Sequence, residues 1–466
     1  MHMPPRKRDR EPPEVSAAAN TGRPIEPEDG LRPDRQKMRD CTPVSSPTHP
    51  WRWIPTLYFA QGLPYVAVMT LAVIVYKNLG ISNTEVALYT SWLYLPWVLK
   101  PLWSPLVDLW GTKRRWIVTM QFLVGAALAG VALCLPGSDF FRLSLAFFWL
   151  MAFASATHDI AADGFYMLAL GQKTQAAFVG VRSTCYRLAM IAGQGALVYL
   201  AGVLTQRWGQ PASAWAVVFA SLAAGFGAVA AFHAWSLPHP VEDRPSVRSG
   251  RWWADFMSVL TTFFRQPDLG RILCFLLLYR FAEAQLLKLV TPFLLDGLDA
   301  GGLGLKTQDV GIAYGTVGVI ALTVGGLAGG AVIARWGLRR VFWPLVVCMH
   351  LPNVVFVALA AWTPSDLRLI SLGLAVEQFG YGFGFAAYLV FMMMVAEGQD
   401  NPHKTAHYAL CTGFMALGMM LPGMAAGWIQ SQLGYRDFFI WVCVATLPSF
   451  WAAARIRIDP GYGQRE

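Results

Sequence analysis

Apolar runs about twenty residues long, separated by short polar breaks, recur along almost the whole chain and leave it little choice of fold. Such a run is what a helix needs to cross the ~30 Å hydrocarbon core of a bilayer at ~1.5 Å per residue. The runs fall near 53–76, 84–106, 115–135, 141–168, 177–205 and 213–236. After a polar segment they resume near 271–295, 310–334, 341–362, 367–395, 406–430 and 437–455. The pattern predicts an all-α membrane protein with twelve transmembrane helices. Only 14% of the residues are charged, against about 25% in a soluble globular chain, which agrees.

The polar segment 238–268 divides the spans into two sets of six. The expected organisation is a disordered cytoplasmic tail (1–52), a six-helix half (53–236), a cytoplasmic linker (237–270), a second six-helix half (271–456) and a short cytoplasmic tail (457–466). Within the linker, WWADFMSVLTTFF reads either as an amphipathic helix on the membrane surface or as a short soluble helix. An internal repeat supports two halves. SPLVDLWGTKRR (104–115) follows the second span and GAVIARWGLRR (330–340) the eighth. Aligning Trp110-Gly111 with Trp336-Gly337 puts Arg114 on Arg340.

The formal charge of +9 is no nucleic-acid signal, because the excess cations lie in the first 52 residues and in alternate loops. Lys113, Arg114, Arg115, Arg244, Arg248, Arg251, Arg335, Arg339 and Arg340 all fall on one side of the spans, which predicts that both termini are cytoplasmic. No apolar signal region opens the chain. The seven cysteines are scattered with no ligand spacing, so neither a metal nor a cofactor is expected.

Charges inside the spans are the strongest functional signal, since each costs ~2.5–3.5 kcal/mol on insertion scales unless compensated. SATHDIAAD places Asp159 and Asp163 in the fourth span, and the fifth carries Arg182 and Arg187. Measured from a turn near Lys173, Asp159 lies level with Arg187, and Asp163 nearly level with Arg182. Two acid–base rungs across this hairpin are therefore expected, either pinning the helices or opening during a cycle. In the second half Arg280 and Glu283 stand three apart and can pair along one face. Glu377 has no local partner, which makes it a proton-coupling candidate. Lys100 is expected to snorkel toward the interface. Tyr65, Trp92, Tyr166, Tyr186 and Tyr381 are candidate cavity aromatics.

These residues also carry a resemblance. The loop with Leu106, Asp108, Gly111 and Lys113 is similar to the conserved-type loop motif of the major facilitator superfamily, where a carboxylate at a helix end and cations across the turn act as a conformational latch. Asp108, Gly111, Lys113 and Arg114 are the candidates for it here. YFAQGLPY (58–65), LKPLWSPLVD (99–108), SATHDIAAD (155–163), YRLAM (186–190), AVEQFGYGFGFAAY (375–388) and KTAHYAL (404–410) resemble the AmpG-like permeases. These form part of the peptide–acetyl-coenzyme A transporter branch of that superfamily. One departure is HDIAAD, where muropeptide permeases more often show QDI.

The resemblance implies a bacterial inner-membrane secondary transporter, monomeric, that imports an anhydro-muropeptide or related glycan-peptide with the proton gradient. Related permeases carry siderophores, so siderophore or oligosaccharide uptake is the alternative. The partners expected are a small solute and the bilayer, with no nucleic acid. No metalloprotease, nucleophile-elbow or aspartyl-dyad constellation appears, so an enzyme is not expected. A non-transporting sensor would have little reason to keep acids and bases in both halves.

Overall fold

The computed structural model describes residues 49–463 apart from 245–251, 399–403 and 461. The expected N-terminal tail therefore lies almost wholly outside the described residues. All regular structure among the described residues is helical.

Among the described residues, hydropathy and length alone single out nine helical stretches able to cross a membrane. Twelve spans result because one of these holds two spans and two further spans are broken helices. The stretch Lys404–Ala453 holds two spans, separated where Gly434 turns the chain at φ 74°. Span two is broken into Asn83–Trp92 and Leu95–Leu109, and span seven into Leu269–Leu278 and Phe281–Leu295. Each piece is too short to cross alone. The remaining spans are Pro50–Asn78 (one), Lys113–Cys134 (three), Phe140–Ala169 (four), Gln172 to Trp208 (five), Pro211–Ser236 (six), Thr307–Trp336 (eight), Leu338–Trp362 (nine) and Leu367–Glu397 (ten).

Alternation puts residues 50–52, the turns at 110–112, 170–171 and 337, and the chain after 454 on one face, called here the terminal face. The turns at 79–82, 209–210, 296–306 and 434 lie on the opposite, distal face. Three spans carry π-helical turns: Ala67–Leu71 in span one, Ile191–Leu197 in span five and Gly311–Gly318 in span eight. Such turns concentrate at functional positions, and all three border the same cavity.

Spans five and eight meet backbone to backbone. A Cβ on Gly315 would stand 1.9 Å from the Gln194 carbonyl oxygen, so only glycine permits this approach. The chain following each half's sixth span returns to the start of that half's third. Asp243 accepts from the amides of Lys113 and Arg114 at 2.6 and 3.0 Å, satisfying donors that a helix N-terminus leaves open. In the second half the carbonyl of Tyr462 accepts from the Leu338 amide at 2.8 Å. The linker helix Trp252–Phe264 packs on span eleven: Phe263 is buried, and Thr262 and Gln266 bond His407 at 3.1 and 2.9 Å.

Candidate functional site

A cavity of about 930 Å³ lies between the first six and the last six spans. That is near the top of the ~300–1,000 Å³ range of small-molecule sites. Its wall combines tyrosines (Tyr58, Tyr65, Tyr94, Tyr186, Tyr314, Tyr381) with four cations, Arg182, Arg187, Arg280 and Lys288.

The distal end is shut by polar contacts that cross between the halves. Lys77 at the end of span one bridges Asp296 at the end of span seven at 2.6 Å. Within the second half Tyr435 donates to Asp296 at 2.6 Å, and across the halves Asn83 donates to Asp296, Gln430 and Tyr435 at 3.3, 3.0 and 2.8 Å. Asn78 donates to Thr307, and Gln308 to Gln206. The terminal end is open. Arg182 and Asp163, near the terminal-face ends of spans five and four, remain about a third exposed (33% and 38%), and Val179 and Leu327 stand exposed on the cavity wall.

The two expected rungs fare differently. Arg182 bridges Asp163 at 2.6 Å, and its guanidinium also lies 4.5 Å from the centre of the Tyr58 ring. The Asp159–Arg187 rung does not form. Asp159 instead accepts from the Trp97 indole at 3.2 Å and faces the Lys100 ammonium at 3.6 Å. Lys100 is thus a partner of Asp159 rather than a snorkelling side chain. The reason is packing: span five runs along span one, while span four lies against spans two and three. Equal depth in a hairpin does not make two helices neighbours. Arg187 points into the cavity toward Gly326 of span eight.

In the second half Arg280 does not bond Glu283. Its guanidinium donates to the Tyr381 hydroxyl and lies 4.9 Å from the Phe385 ring centre. Glu283 and Glu377 are fully buried behind it. Tyr65 meets Trp97 edge-on at 5.4 Å on the cavity wall. Trp92 lies off the wall and is partly exposed. Tyr166 sits behind Tyr58 and donates to the Gln175 carbonyl at 2.5 Å.

Of the latch candidates, Gly111 turns the chain at φ 122°. Arg114 is tied to the Leu237 and Ala234 carbonyls at the end of span six. The Lys113 stem lies against Gly164 of span four. The Asp108 side chain falls outside the described residues. Asp243 holds the amides opposite this turn, a part the sequence reading missed because its signal was one acid in a loop.

Lys288 was also passed over as one more charge in span seven. It is buried on the wall, donates to Thr90 of span two at 3.0 Å and lies 5.2 Å from the Tyr94 ring centre. The legible clue is a lysine inside an apolar run with no acid three or four residues away. Arg187, Arg280 and Lys288 form no ion pair among the described residues. The cavity therefore offers net positive charge, suited to carboxylate groups, with bidentate geometry available at the arginines.

A closed distal end, an open terminal end and a central cavity between two six-helix halves are the architecture of a secondary transporter. The chain belongs to the Major Facilitator Superfamily, whose model matches residues 56–407, and within it the chain is AmpG-like. It is 27% identical over 410 residues to the anhydromuropeptide permease of Escherichia coli K12, covering 84% of this chain and 76% of that one. It is 25% identical over 409 residues to the putative transporter AmpG 4 of Rickettsia conorii, covering 85% and 93%. Among solved structures it is similar to a bacterial homologue of the human lysosomal transporter Spinster, inward-facing and unoccupied, with TM-score 0.66, 16% identity and coverage of 89% and 100%.

Proposed function

We propose that the chain imports an anionic organic solute, an anhydro-muropeptide or related glycan-peptide, across a bacterial inner membrane in symport with protons. The observation that carries this reading is the cavity's cation excess: Arg187, Arg280 and Lys288 face it with no salt bridge among the described residues, beside a set of tyrosine rings. Peptide carboxylates answer the cations, and the apolar faces of sugar rings answer the aromatics. The name of the Escherichia coli relative, an anhydromuropeptide permease, supports the same solute class. With the basic loops on the terminal face, that face is cytoplasmic, and the state described is open inward.

The test is uptake of labelled anhydro-muropeptide into liposomes holding the protein, with and without an imposed inward proton gradient. Accumulation above the passive level, stimulated by the gradient, is expected. Absence of uptake by folded protein, with uptake from a ferric-siderophore or oligosaccharide panel, would replace the substrate and leave the fold untouched.

A further inference from the structure

Two acids lie buried behind the Arg280 side of the cavity, and one of them is the proton-coupling candidate Glu377. Glu283, in the first turn of Phe281–Leu295, is 0% exposed, and neither carboxyl oxygen has a hydrogen-bond partner among the described residues. Glu377, in span ten, is 1% exposed. Its Oε2 accepts from the Gln378 amide at 2.9 Å, and its Oε1 has no partner. The two carboxyls lie within electrostatic reach of each other and of Tyr314 in span eight. Three of their four oxygens are buried with no hydrogen-bond partner among the described residues, a setting in which a carboxylate is costly and a bound proton offsets the cost.

Among the described residues the cation facing the pair is Arg280, at the head of Glu283's own helix and acting on Glu283. The other titratable groups facing the pair are Tyr314 from span eight and Tyr381 from span ten, while Tyr94 of span two faces Arg280. Arg280 also lines the cavity and bonds Tyr381 there. It therefore stands between the buried acids and whatever fills the cavity.

We propose that Glu283 and Glu377 form a proton-binding carboxyl pair whose occupancy is set by Arg280, the residue shared between the pair and an anionic substrate group. With the cavity empty, the guanidinium compensates the negative charge of the pair. A substrate carboxylate that engages Arg280 takes over that compensation. The pair then takes up one proton from cavity water, turning a carboxylate into a carboxylic acid, with the Tyr314 hydroxyl on the cavity wall as the route. Loss of the substrate restores the field of Arg280 and releases the proton. Arg280 is a positioning residue for the proton and a binding residue for the substrate. The coupling rests on the anionic-substrate reading, whereas the pair itself does not.

The experiment has two arms, both in sodium-free buffer. In the first, wild-type protein in liposomes is treated with dicyclohexylcarbodiimide, which modifies protonated carboxyls in apolar surroundings, and adducts are mapped by mass spectrometry. Labelling of Glu283 or Glu377 that falls as pH rises is expected. Absence of adducts on both across the pH range overturns the proposal, whether or not any substrate is known.

In the second arm, tryptophan fluorescence reads anhydro-muropeptide affinity against pH. If each substrate brings one proton, affinity weakens by up to about tenfold per pH unit once the empty pair is deprotonated. E283Q and E377Q are expected to flatten that slope, and a slope unchanged in both overturns the proposal. If the wild-type protein binds no anhydro-muropeptide, the substrate reading fails and the labelling arm alone decides the pair.

Discussion

Replacing Asp296 with alanine tests whether the distal closure is a breakable lock. Asp296 holds the Lys77 ammonium and the Tyr435 hydroxyl, each at 2.6 Å, and the side chains of the ion pair are only 15% and 18% exposed. A hydrogen bond to a charged group contributes about 1.5–3 kcal/mol. Removing one partner of a fully buried pair costs about 3–5 kcal/mol. Partial exposure and the remaining Lys77–Asn83 bond at 2.7 Å discount both, which leaves about 2–3 kcal/mol. Tyr435 belongs to the same half as Asp296, so its bond can persist in either state, whereas the Lys77 pair crosses between the halves and its loss subtracts from the closed state alone. The closed-to-open ratio should fall by about 30- to 150-fold.

The assay is a single cysteine at Thr291, a buried residue of the cavity wall, in a background whose native cysteines are serine. An impermeant maleimide applied to the distal face should label it slowly in the parent and far faster with D296A. Unchanged distal labelling in folded protein would refute the argument, because Asp296 would then not hold the cavity shut.

Four further outcomes follow from particular contacts. Lys100→Met leaves the partly buried Asp159 without its cation and should cost ~1–3 kcal/mol, seen as a lower Tm in detergent and recovered by adding D159N. Arg187→Gln or Lys288→Gln each removes a cation with no acid partner, so KM for an anionic substrate should rise about tenfold or more, while the Tm changes little. Gly315→Val drives a side chain into the Gln194 carbonyl; distal maleimide labelling at Thr291→Cys should rise, since the helices can no longer close there. Asp243→Ala strips two amide bonds from the start of span three and should lower stability by ~1–2 kcal/mol, read from the melting curve.

The spans were legible because hydropathy is a sum over twenty residues, and such sums tolerate local error. Breaks within spans were not. Span seven contains no proline at its Tyr279–Arg280 break, so the sequence there reads as one apolar run with four charges in it. That break puts Glu283 in the first turn of a new helix and Arg280 at its cap, instead of pairing them on one face. Trp92 and Tyr166 were drawn into the candidate cavity by residue type and missed it by rotation about the helix axis. Asp163 and Arg182 were found because depth along a hairpin can be counted, and Asp159 and Arg187 were not because depth carries no information about facing.

The charges that escaped notice share a physical cause as well. Lys77 and Asp296 sit at span ends, where an isolated charge ordinarily ends in headgroups or water, so nothing in the local sequence separates a lock from a solvated residue. Only the meeting of spans one, two, seven and eleven makes it one. The same meeting explains why the spacing of small residues matters there. Once polar bonds shut one end, the helices beneath must touch closely enough to exclude water, and Gly315 against Gln194 does this with backbone alone. Opening that end must therefore break the ion pair and part the glycine contact together. A cavity whose own cations form no salt bridge among the described residues supplies the opposing drive, since a bound anion stabilises whichever states keep Arg187, Arg280 and Lys288 around it. The transition then depends on the difference between those two sets of contacts, both of which reside in named side chains.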